Sequence, residues 1–143
     1  EERVMVAGPG APNPSGIPGF NATYGVIARP GGGNANATLL NGWLNTVTQV
    51  TTANDSVMLP PGYAGMEITV INNGGNSCQV FGFMNTAPGD NVTDTISPTG
   101  SIVQGTSGVA LASGAVGLFF CMTGQGGPTN GVVPAQWRSK ILT

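Results

Sequence analysis

The clearest pattern in the chain lies at residues 66–71, where Met66, Ile68 and Val70 alternate with Glu67 and Thr69 before Ile71. Side chains two apart share one face of an extended strand, so the stretch predicts a strand with one face buried. It follows a Pro60-Pro61-Gly62 break and runs into Asn72-Asn73-Gly74-Gly75-Asn76. Asn and Gly accept positive φ at least cost, and this cluster predicts a hairpin-like turn with residues 78–84 as the returning strand. Phe81 and Phe83 share a face of that strand and are expected to fill the core.

Shorter signals of the same kind recur on both sides. Residues 22–28 predict a first strand, ended by Arg29-Pro30-Gly31-Gly32-Gly33. Residues 46–52, rich in Thr and Val, predict another, followed by a turn at Asn54-Asp55 and an extended run at 56–59. Residues 36–43 suit either a strand or one helical turn. Residues 85–100 are polar and turn-rich, with at most a short strand around Thr95 and Ile96. Short strands are expected at 101–104 and 108–112, then at 115–122, which alternates weakly around Leu118 and Phe120, as a strand buried on both faces would. Residues 124–134 read as loop, and 132–142 as the last strand, anchored by Trp137.

About eight to ten short strands between turn clusters at near-regular spacing predict an all-β fold, a β-sandwich of jelly-roll type. Ahead of it, residues 1–19 carry Pro9, Pro12, Pro14 and Pro18 among Gly8, Gly10, Gly16 and Gly19. That density forbids a helix or a central strand and predicts an extended N-terminal arm before a single domain at 20–143. Such an arm is either a disordered tail or a strap that orders against a neighbouring subunit; a pure linker has little use for apolar residues, so Val4, Met5, Val6, Ile17 and Phe20 favour the strap.

Composition sharpens the picture mainly by exclusion. The 143 residues are one ordinary domain, and only 7% are charged, against about 25% in an average soluble domain. There is no histidine, the side chain most used for acid–base work and metal binding near neutral pH. The four basic residues, Arg3, Arg29, Arg138 and Lys140, make no positive stripe for phosphates, and nucleic acid is not an expected partner. The net charge of −2 is too mild for electrostatic steering. Residues 109–122 are too short and too interrupted by Ser113, Gly114 and Gly117 to span a membrane. The opening Glu1-Glu2 is unlike a signal peptide.

Candidate chemistry is correspondingly thin. Gly31-Gly32-Gly33 lacks the Gly-Lys-Ser/Thr and following helix of a phosphate loop and reads as a turn. Cys78 and Cys121 form no C-x-x-C pair, and each sits in an apolar run, where a free cysteine serves as a small buried hydrophobe; a single disulfide between neighbouring strands is the alternative. Asp90 and Asp94 lie four apart on a loop but lack the other ligands of an EF-hand, so no metal is expected. No Gly-x-Ser-x-Gly elbow occurs, and the carboxylates available for a glycosidase pair, Asp55, Glu67, Asp90 and Asp94, come without an aromatic-lined cleft. No enzyme activity and no cofactor are expected. A surface of low charge meets neighbours at small desolvation cost, which suits assembly.

Several segments in series carry a resemblance. They are Asn45-Thr-Val-Thr-Gln-Val-Thr-Thr, Asp55-Ser-Val-Met-Leu-Pro-Pro, Ala64-Gly-Met-Glu-Ile-Thr-Val-Ile-Asn-Asn-Gly-Gly-Asn-Ser-Cys-Gln-Val-Phe-Gly, and Leu118-Phe-Phe-Cys-Met-Thr. Over residues 36–142 the chain resembles small structural proteins of tailed bacteriophages and prophages: a Leu-Pro turn, an alternating strand, an Asn-Gly hairpin, a Val-Phe strand, a late aromatic-Cys strand and a C-terminal Trp. The resemblance implies a capsid decoration or cement protein, a homo-oligomer (dimer or trimer) bound to the major capsid protein on the virion surface and assembled in the bacterial host cytoplasm. It carries no catalytic residues over. The segment at 85–108 and the proline-rich arm depart from the shortest relatives. The expected contact residues are Val4, Val6, Ile17 and Phe20 of the arm, then Trp137 and Arg138. A tail, fibre or baseplate module and a carbohydrate-binding β module are the alternatives.

Overall fold

The computed structural model describes residues 21–83, 95–97, 108–123 and 136–143, with the backbone alone at 95–97 and 123. Ten strands run through them: β1 (Ala22–Ile27), β2 (Thr38–Leu39), β3 (Leu44–Gln49), β4 (Asp55–Met58), β5 (Glu67–Asn72), β6 (Cys78–Phe81), β7 (Thr95–Ser97), β8 (Val109–Leu111), β9 (Val116–Thr123) and β10 (Gln136–Leu142). There is no helix among the described residues. The fold is all-β, in two sheets. One has six strands in the order β1-β3-β5-β9-β10-β7, the other four in the order β2-β4-β6-β8.

From β1 to β6 the chain steps from one sheet to the other at every strand. β1 pairs with β3, β3 with β5, β2 with β4 and β4 with β6, all parallel. Each strand therefore lies beside the one two places before it, and the chain winds as a flattened coil with two strands per turn. β8 and β9 then pair antiparallel with β6 and β5, and β10 antiparallel with β9.

This corrects the hairpin expected at residues 72–76. The turn is there, but β5 and β6 lie in different sheets and the turn is a crossover between them. The jelly-roll expectation assumed antiparallel neighbours, and the parallel half of the molecule departs from it. At 36–43 the chain forms only the two-residue β2. The expected strand at 101–104 and the arm at 1–19 lie outside the described residues.

One buried cluster draws on both sheets: Val47, Ile68, Val70, Phe119, Cys121 and Trp137 from the six-stranded sheet, and Val57, Cys78, Val80, Val109 and Leu111 from the other. Alternation explains the choice, since Ile68, Val70 and Asn72 are the inward set of β5 and Gly117, Phe119 and Cys121 that of β9. The sheets meet closely at Gly117, where an added Cβ would lie 2.7 Å from the Phe119 ring and 3.4 Å from Leu111 across the core. Phe81 is buried as expected, while Phe83 is half-buried beyond the end of β6.

The turns at one end of the coil are stacked and bound by buried polar side chains. Gly31, Gly32 and Gly33 all have positive φ, as the first turn requires. The Asp55 carboxylate accepts hydrogen bonds from the Gly31 N–H (3.2 Å) in that turn and from Thr51 and Thr52 (3.0 and 2.9 Å) in the second. The third turn is fastened to the second by Asn76, whose Nδ2 donates to the Val50 and Thr51 carbonyls. Asn72 closes the stack. Its Oδ1 accepts from the Gly74 N–H (2.9 Å), and its Nδ2 donates to the carbonyls of Asn76 and Leu111 (2.8 Å each). Buried backbone groups need partners, and here short side chains reach those that the crossovers leave unpaired.

Candidate functional site

Among the described residues, the acids and thiols read from the sequence do not converge on one site. Asp55, a candidate acid in the sequence, is buried and spent on three backbone donors. The Thr52 N–H, opposed by burial and helped by Gly31, Thr51 and the Thr52 hydroxyl, holds its carboxyl below the ordinary value. Glu67 is exposed in the other sheet, so these two carboxylates flank no common cleft. Asp90 and Asp94 lie outside the described residues. Among the described residues no three metal-ligating side chains cluster. Cys78 and Cys121 are both buried. Burial pushes the Cys78 thiol up to about 11, which makes it a poor nucleophile at neutral pH.

What the fold does present is the outward face of the six-stranded sheet. β9 sends Gly117, Phe119 and Cys121 inward, and leaves Leu118, Phe120 and Met122 exposed by 39%, 40% and 46%. The strand expected to be buried on both faces is thus bare on one. Register places its exposed residues in rows. Phe120 stands between Glu67 of β5 and Arg138 of β10, and Leu118 between Thr69 and Lys140. The next row is Ile71, Val116 and Leu142, the last 44% exposed. Directly opposed side chains on adjacent strands lie about 5 Å apart, so each row is a continuous contact surface. A shallow depression of about 210 Å³ runs among Glu67, Thr69, Leu118, Phe120, Arg138 and Lys140. The face is apolar along β9, with two cations on the β10 side and one carboxylate on the β5 side.

Of the contact residues read from the sequence, Arg138 lies on this face. Trp137 beside it is 1% exposed. Its side chain points the other way, into the core cluster, and it presents nothing to a partner in the single chain. Among the described residues its indole N–H has no hydrogen-bond partner. Val4, Val6, Ile17 and Phe20 lie outside the described residues. Sequence alternation does not mark Leu118, Phe120 and Lys140: with Leu118, Phe119, Phe120, Cys121 and Met122 in unbroken succession, both faces of β9 are apolar. The signal was the run itself, combined with Arg and Lys two apart on the partner strand.

Trp43 is half-buried against the core. Neither tryptophan is displayed as an open platform for a sugar ring. No protein-family model, no curated protein and no solved structure matches this chain.

Proposed function

We propose that the chain is a structural protein of a bacteriophage particle, a capsid decoration or cement protein that binds the major capsid protein on the outer surface of the head and stabilises its lattice. The observation that carries an adhesive rather than a catalytic role is the exposed apolar row of β9 with Arg138 and Lys140 beside it, on a chain whose described acids and thiols have no reactive setting. The order of motifs over residues 36–142 directs the reading to phage heads. In this reading the two sheets form a sandwich, the parallel coil supplies a rigid block, and the protein acts as a homo-oligomer.

The test is electron microscopy of particles carrying a tagged copy of the chain. Label distributed over the head lattice is expected. Label confined to the tail or baseplate would transfer the protein to the alternative virion role, and particles without label would overturn the reading. Binding only to the assembled head also predicts that decorated particles withstand heat or osmotic shock better than bare ones, in proportion to occupancy.

A further inference from the structure

The outward face of β5, β9 and β10 needs a partner that is apolar along its middle and acidic beside Arg138 and Lys140. We propose that it receives the N-terminal segment, residues 1–20, of a second copy of this chain. The segment has the required chemistry: Glu1 and Glu2 to meet the two cations, then Val4, Met5 and Val6 to cover Leu118 and Phe120.

Length decides between the molecule's own segment and a neighbour's. The segment leaves from Asn21, whose carbonyl is fixed by the Trp43 N–H (2.9 Å) at the β1 edge of the same sheet. From β1 to β10 is four strand spacings, about 19 Å, which about six extended residues would cross. Residues 7–20, with Pro9, Pro12, Pro14 and Pro18, favour an extended path of about 3 Å per residue, or about 40 Å. β9 is three spacings from β1, about 14 Å, so on that path Val4 and Val6 would overshoot their own β9 by about two-thirds of its length. A neighbouring molecule is the occupant that such a reach fits, and the exchange gives each copy both a strap and a receiving face.

The inference deepens the assembly role proposed above and rests on it for the premise that copies associate. Its test uses purified full-length chain, so it stands or falls wherever on a particle the protein sits. A Val4→Cys variant is mixed with a Leu118→Cys variant under mild oxidation, with Gly75→Cys, in the exposed turn between β5 and β6, as the control site. A disulfide-linked two-chain species containing one of each variant is expected with Leu118→Cys and not with Gly75→Cys. Adding R138E and K140E to the receiving copy should lower its yield about tenfold, and E1K with E2K on the donor copy should restore it. A fold check by circular dichroism accompanies each variant. Equal yields at both cysteine sites, no linked species in the mixture, or a link formed only within a V4C/L118C double variant would each overturn the proposal. Label found on the tail rather than the head would leave this result untouched, so the two readings fail separately.

Discussion

Two buried polar residues, Asp55 and Asn72, bind the stacked turns through hydrogen bonds to backbone groups. Asp55 is an ionised group taken out of water, tolerable because three N–H groups point at it. Those donors lower its proton affinity in the folded chain, so in acid the unfolded chain binds the extra proton. Its contribution is complete above the unfolded value, about pH 4, and is lost as pH falls through the lower folded value. Thermal unfolding should therefore show a melting temperature that drops below about pH 4 in the native chain. D55N, whose amide turns a donor toward donors, should melt lower at pH 7 and lose less on acidification; an unchanged pH profile would show that the carboxylate is not what binds the first two turns. Asn72 is the neutral counterpart. N72A strands the Gly74 N–H and the Asn76 and Leu111 carbonyls, and should cost about 1–3 kcal/mol in urea denaturation.

At the scale of elements, the turns decide which strands meet. Gly74 sits against the second turn so closely that an added Cβ would lie 2.7 Å from Val50 Cγ2 and 2.9 Å from the Val50 backbone nitrogen. Backbone cannot give way, and G74A should lose about 1–3 kcal/mol by overpacking. Gly75, its neighbour, has open space and no positive φ. G75A should shift the urea midpoint by the equivalent of less than about 0.5 kcal/mol, and the contrast between the two tests the stacking directly. The same turn shows what local sequence encodes and what it does not. Alternation at 66–71 located β5 within one residue, the Thr–Val-rich run at 46–52 overlapped β3 with bounds two to three residues late, and the extended run at 56–59 located β4 within one residue, because a half-buried strand repeats every second residue. Asn72-Asn73-Gly74-Gly75-Asn76 announced a reversal, yet a turn specifies its own φ and ψ and not the sheet in which the next strand pairs. Parallel pairing of β3 with β5 joins Leu44 to Thr69, and no short window spans that separation. The exposed face of the six-stranded sheet was half legible: Arg138 could be picked as a cation on the last strand, whereas Phe120 became a surface residue only once register set it beside Arg138.

For the whole molecule, the consequence of one cluster fed by both sheets is that, among the described residues, the two sheets share one core. Leu59, fully buried after β4, and Leu111 in β8 pack into the same cluster as Phe119 and Trp137. The four-stranded sheet therefore has no means of staying folded while the six-stranded one melts. L59A removes side-chain volume from the four-stranded side and should cost about 2–5 kcal/mol, the range for deleting a buried leucine. For a chain of this length that corresponds to a melting point lower by roughly 2–4 °C per kcal/mol. The loss should be the same whether read by far-UV circular dichroism, which follows every strand, or by fluorescence dominated by the tryptophans, of which Trp137 lies in β10 of the opposite sheet. Coincident curves before and after the substitution are the signature of a single cooperative unit. If L59A split them, so that circular dichroism fell while the environment of Trp137 persisted, the two sheets would be separable bodies. The exposed face of β9 and β10 would then belong to a body made of the six-stranded sheet alone.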